Sequence, residues 1–217
     1  MHETHPVDVV IPVDRVVLRG ILTVPSQAEG VVAFAHGSGS SRLSPRNQQV
    51  AHELHEAGFA TLLFDLLNQD EAAVDDRTRE YRFDIPRLGA RLVAATDWLR
   101  AEETTRSLPI GYFGASTGAA AALVAAAERQ DEVGAVVSRG GRPDLAGAAL
   151  SLVTAPVLLI VGGLDAPLIG VNETAQDRLR GSSELVIVEG ATHLFKEPGT
   201  IDEVTRHAIA WFDRHLR

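Results

Sequence analysis

The chain has no cysteine, and that absence removes disulfides, thiolate metal sites and a cysteine nucleophile together. It also lacks any apolar stretch near the roughly 20 residues that a membrane-spanning helix needs. Positive charge is not concentrated anywhere. Lys and Arg number 20 against 29 Asp and Glu, a net charge of −9, whereas nucleic-acid binding needs a basic face to neutralise phosphates. No internal repeat, low-complexity tract or linker breaks the 217 residues. That length suits one sizeable core, so a single domain over 1–217 is expected. The opening MHETHPVDVVIPVD has acidic residues and no basic segment followed by an apolar one, which argues against a secretory leader; a cytoplasmic protein is expected.

What is present is an alternation of short apolar runs and helical patterns. Residues 7–13 and 16–24 read as strands around Asp14-Arg15, a connection short enough for a hairpin. Residues 31–36, 59–65, 109–113, 133–138, 156–161 and 184–188 read as further strands. Several are apolar throughout, as in a sheet covered on both faces. Helices are predicted over 45–57, stopping before Gly58, and where Leu88, Leu92, Ala95 and Leu99 share a face that Trp98 widens. Others are predicted over 117–129, 144–150, 171–180 and 201–216. Residues 68–82 are charged and carry no core pattern, so they read as a long surface loop with room for some helix. The fold class is α/β: a mostly parallel, twisted sheet of about seven to eight strands with helices on both faces. The first hairpin puts an antiparallel strand at one edge. The connection 139–155 holds about one short helix, too little for a cap domain.

YFGASTGAAAALVAAA, residues 112–127, sets Ser116 between Gly114 and Gly118 as G-x-S-x-G, with a strand before it and a helix after it. That is the context of a nucleophile elbow. The blander reading is a helix N-terminus capped by Ser116 or Thr117. A serine nucleophile needs a base, and the base an orienting acid. In LLIVGGLDAP, Asp165 follows the strand 156–161; in VIVEGATHLF, His193 follows the strand 184–188. Asp144 is a rival acid, but its place after Pro143 is explained by capping of a helix. In AHGSGSSR a buried strand ends and a loop begins, able to aim N–H groups at a developing oxyanion. The backbone N–H groups of Ser38 and Thr117 are the two expected donors, and His36 is expected to hold the loop.

HGSGSSR, GASTGAA, GGLD and GATHLF together resemble the α/β-hydrolase superfamily from about residue 16 to 216. Within it the chain is similar to small, cap-less, dienelactone-hydrolase-like members, including bacterial proteins attached to phosphoribosyltransferase-like domains. Dienelactone hydrolases proper use a cysteine, so Ser116 favours a serine esterase. The resemblance implies a serine hydrolase that cleaves small carboxylic esters or lactones through an acyl-enzyme on Ser116. His193 would be its base and Asp165 the orienting acid. No cofactor and no metal is called for, the partner is a small molecule, and neither nucleic acid nor membrane is expected.

Arg42, Arg139 and Arg142 are candidate rim contacts for a substrate carboxylate, against the alternative that they pair with Asp65, Asp84 or Asp144. The site is expected to be open and shallow, roofed by SSRLS at 40–44, by 68–82 and by SRGGR at 138–142. Two other functional classes compete. One is a non-catalytic ligand-binding or sensor protein on a hydrolase scaffold. The other, a Rossmann oxidoreductase, has Arg42 where its fingerprint wants a third glycine. HELHE places His52 and His55 three apart, the wrong spacing for a zinc protease, and both are expected to decorate a helix surface.

Overall fold

A computed structural model describes residues 5–217. The first four residues, part of the stretch read above for a leader, lie outside it. Val7–Val13 (β1) and Val16–Thr23 (β2) pair antiparallel around Asp14, whose φ of 50° closes the two-residue turn. Six more strands follow: β3 Gly30–Ala35, β4 Phe59–Phe64, β5 Ile110–Ala115, β6 Val133–Arg139, β7 Val157–Gly162 and β8 Ser183–Val188. The sheet order is β1-β2-β4-β3-β5-β6-β7-β8. β2 runs antiparallel to both neighbours, and every pairing from β4 to β8 is parallel. The reversed strand therefore lies one place inside the edge, and β1 at the edge points the same way as the parallel strands.

The helices are α1 Pro45–Glu56, α2 Gln69–Thr78, α3 Ile85–Ala101, α4 Thr117–Glu128, α5 Ala166–Gln176 and α6 Thr200–Leu216. α1 and α6 cover one face, burying Val50 and Leu54 with Val204, Ala208 and Phe212. α3 and α4 cover the other, where Leu88, Leu92 and Leu99 meet the alanines of α4. Ten of the twelve α4 residues are buried, which is why its sequence shows no polar stripe. β3, β4, β5 and β7 are buried along their whole length, as strands covered on both faces must be. Between β6 and β7 the chain forms only a 3-10 segment, Pro143–Leu152, kinked at Gly147. Among the described residues no helix is long and apolar enough to cross a membrane.

Three expectations need correction. Within 68–82 lies a full helix, α2, whose only buried residue is Asp75. It is held by polar contacts: Asn68 and Glu71 form a reciprocal capping box, and Glu71 also receives Arg87 and Arg91. α5 begins five residues before the expected position 171, because Pro167 suits a first helical turn. His55 is not a surface ornament; it is half-buried and its Nε2 lies 2.7 Å from Oγ1 of the fully buried Thr61.

Burial, and secondarily the nearby His52, push the His55 imidazole down from 6.5 to about 4. The unfolded chain takes up this proton at the higher value, so the contribution of neutral His55 is complete above about 6.5 and is lost as pH falls toward 4. His36 and His215, also lowered by burial, act in the same direction. The urea midpoint should therefore fall between pH 7.5 and pH 4.5, and should fall less in His55→Gln. An equal fall in the two proteins would contradict this assignment.

Candidate active site

Ser116 joins β5 to α4 with φ 53° and ψ −120°, a left-handed conformation that costs a residue with a Cβ on the order of 1–3 kcal/mol. Crowding on both sides imposes it. A Cβ on Gly118 would come within 2.1 Å of the Ala35 carbonyl oxygen and 2.5 Å of that of His36; one on Gly114 would meet the Ala119 Cα at 2.4 Å. The turn is also tied to the end of β6. Ser116 N–H donates to Arg139 O (3.1 Å), and Arg142 N–H donates to Ser116 O (3.1 Å). Ser116 does not cap α4 with its hydroxyl, which sets aside the bland reading of that side chain.

The hydroxyl instead faces His193, with Oγ 3.3 Å from Nε2, while His193 Nδ1 lies 2.8 Å from Asp165 Oδ2. A carboxylate accepts from Nδ1–H, which leaves the Nε2 lone pair facing Ser116. Asp165 sits at the N-cap position of α5 but gives that helix no side-chain hydrogen bond, since its carboxylate is turned to the imidazole. The exits of β7 and β8 are pressed together: a Cβ on Gly162 would lie 2.4 Å from Ala191 O, and Leu164 N–H donates to that same oxygen. Asp144 is engaged elsewhere, accepting Arg142 Nε and Nη2 at 2.8 and 2.7 Å.

The two residues expected to supply the oxyanion donors meet through their hydroxyls. Ser38 Oγ donates to Arg82 O (3.2 Å), so at the 3.0 Å contact it receives the Thr117 hydroxyl proton. Arg82 is fixed in turn by the buried Asp75, which accepts the N–H groups of Tyr81 and Arg82 and the Arg82 Nε. α2, which the sequence left only as a possible helical part of a loop, thus braces the loop carrying Ser38. His36 is buried and accepts Leu66 N–H at Nε2 (3.0 Å), so its Nδ1–H donates to Gly37 O (2.9 Å). Burial lowers its pKa and keeps it neutral for this bridging role.

Two further residues hold the histidine loop, Phe195 at the end of GATHLF and Glu197, which lies outside any motif read in the sequence. Glu197 accepts the Thr192 N–H and hydroxyl, and Phe195, at φ 51°, anchors the loop in the core. Of the three arginines, Arg42 is paired with Asp65 through both its main chain and guanidinium, and Arg142 with Asp144. Arg139 is no rim residue: only 8% of it is exposed.

A cavity of about 1200 Å3 adjoins the oxyanion segment. Ser38 and Thr117 line it, with residues 40–44, Asn68 and Arg82, but Ser116 and His193 do not. The expected roof segments 40–44 and 68–82 contribute to its wall.

The family model described as "Alpha/beta hydrolase domain" matches residues 28–211. A crystal structure of dienelactone hydrolase from Anabaena variabilis ATCC 29413 is 56% identical, with a TM-score of 0.98 and full coverage of both chains. Est1E from Butyrivibrio proteoclasticus, bound to ferulic acid, is 17% identical with a TM-score of 0.82 over 96% of this chain and 99% of that one, a likeness of fold alone. Proteins of Mycobacterium tuberculosis strains H37Rv and CDC 1551, named provisionally as phosphoribosyl transferases, are 56% identical over 92% of this chain. The chain spans 44% of the length of these curated relatives.

Gly118→Ala should abolish the native turn, because its new methyl group would meet backbone oxygens that cannot swing away. The expected loss is at least about 3 kcal/mol, above the usual range for single changes. Gly170→Ala, inside α5 with nothing within 4 Å of the new methyl, should instead stabilise by about 0.5–1 kcal/mol. Chemical denaturation of both variants checks the pair; a mild effect at Gly118 would contradict the close-approach argument.

Proposed function

This chain belongs to the α/β-hydrolase family, in its dienelactone-hydrolase-like branch, and we propose that it hydrolyses small carboxylic esters or lactones through an acyl-enzyme on Ser116. The observation that carries this reading is the line of hydrogen bonds from Ser116 Oγ through His193 to Asp165, with the hydroxyl held on a strained turn and withheld from helix capping. His193 Nε2 takes the Ser116 proton as Oγ attacks the carbonyl carbon. The carbonyl oxygen becomes an oxyanion in front of the N–H groups of Ser38 and Thr117, whose hydroxyls hold each other in register. Protonated His193, held by Asp165, returns the proton to the leaving alkoxide. Water, deprotonated by the same imidazole, then releases the acid and restores Ser116.

Serine rather than cysteine separates this site from a thiol-based lactonase, and esters as well as lactones are within its reach. With only a short 3-10 segment where a cap would stand, long alkyl chains find little enclosed apolar surface to bury, so short acyl groups are favoured. The transferase name of the Mycobacterium relatives belongs to proteins of which this chain is less than half. The hydrolase reading concerns this chain alone.

Ser116→Ala should cut turnover of short aryl esters by a factor of about 10³ or more and abolish labelling by a fluorophosphonate, with the fold intact. Asp165→Asn should lower kcat by orders of magnitude, and Asp144→Asn should change it only slightly. Labelling that survives at full level in Ser116→Ala, or the reverse ranking of the two aspartates, would overturn the assignment. Loss of labelling in wild type as well would favour a binding protein on the hydrolase scaffold.

A further inference from the structure

Arg139 ends β6 opposite Ala115 in the parallel ladder, and its carbonyl receives the Ser116 N–H. Strand alternation puts its side chain on the sheet face of Ala135 and Val137, under α1 and α6, opposite to that of Val136. There it is more than nine-tenths buried, and its Nε and Nη1 have no hydrogen-bond partner. Among the described residues no carboxylate pairs with it, whereas Arg42, Arg82, Arg91 and Arg142 each have one. The charge it does sense is another cation, Arg46, on the first turn of α1. Burial first, and then Arg46, push the Arg139 guanidinium down to about 10.

Arg46 Nε is likewise buried without a partner. α1 is twelve residues long, opens with Pro45 and Arg46, and packs on the sheet face that carries Arg139. Arg139 and Arg46, with no acidic partner among the described residues, form an uncompensated positive site. Such a site is complete only with an anion, and its charge selects among anions. A carboxylate satisfies one guanidinium fork and leaves the other charge unbalanced, whereas a phosphate dianion matches two cations and offers three oxygens.

We propose that Arg139, Arg46 and the first turn of α1 form a phosphate subsite next to the Ser116 elbow, and that the substrate is an ester or lactone carrying a phosphate group. The proposal rests on the hydrolase reading for its substrate, and on the orphaned guanidiniums for its anion.

The test has a binding arm and a turnover arm, run on wild type, Arg46→Gln, Arg139→Met and the exposed-residue control Arg106→Gln. In the binding arm, inorganic phosphate and acetate are titrated by calorimetry and by thermal shift. Wild type and the control should bind phosphate at least about tenfold more tightly than acetate and gain Tm with it. Both site variants should lose that gain, and Arg139→Met should show a higher Tm than wild type in phosphate-free buffer, since a buried unpaired charge has been removed. In the turnover arm, an acetate ester of a phosphorylated alcohol is compared with its unphosphorylated analogue. Wild type should prefer the phosphorylated ester by about tenfold or more in kcat/KM, mostly through KM, and the preference should collapse in both site variants. No phosphate binding in wild type, equal binding of acetate, or a preference unchanged in both variants would overturn the subsite. Phosphate binding that depends on both arginines without preference for the phosphorylated ester would refute the substrate assignment, the anion then being a free ligand. Fluorophosphonate labelling of Ser116 is read in parallel, so that failure of the hydrolase reading is seen separately from failure of the anion site.

Discussion

The close crossing of the β5–α4 turn over the end of β3 is the constraint on which the site depends. Gly118 lies so near the carbonyls of Ala35 and His36 that no side chain fits, and Gly114 lies equally close to the first turn of α4. With the backbone compressed from both sides, Ser116 stands at φ 53° and its hydroxyl projects beyond the strand ends. The same crossing brings the loop after β3 against the N-terminus of α4, where Ser38 and Thr117 join hydroxyls. One steric fact thus sets the position of the serine and of both N–H groups proposed to stabilise its oxyanion.

Around that turn the parallel strands supply the rest from their C-terminal ends. β6 holds the Ser116 backbone from the side, while β7 and β8 deliver Asp165 and His193 across a second close approach at Gly162. Electrostatics follow from the same packing. Acidic partners are allotted to Arg42, Arg82 and Arg142, which shape loops, while Asp165 is kept for the imidazole. Arg139 alone among these is buried beside the elbow without an acid, and that imbalance directs attention to the charge of the substrate.

Much of this was legible in the sequence, for physical reasons that can be named. Strands buried on both faces leave unbroken apolar runs, and Ser116 and Asp165 stand out because each follows such a run, while His193 follows the apolar residues of the half-exposed edge strand β8. The glycines flanking Ser116 were readable because close backbone approach admits no other residue. α2 was not legible, since its one buried residue is an aspartate and no apolar period marks it; Asn68 and Glu71 of its capping box were the only signal. The early start of α5 was hidden because Asp165 has left capping for His193. Which arginine would lack a partner depends on pairs such as Arg42 with Asp65, 23 residues apart, and on the burial of one strand end. Neither is written in local pattern.

The central claim is that Ser116 is the atom-bearing nucleophile of a covalent cycle. Mass spectrometry of peptides from wild-type protein treated with an aryl carbamate tests it most directly, because carbamoyl-serine is released slowly enough to be located. The account predicts a single carbamoyl group on the peptide containing Ser116, formed with release of one equivalent of phenol and in step with loss of esterase activity. A protein that turns over esters yet carries no adduct, or carries it on Ser38 or Ser138, would contradict it.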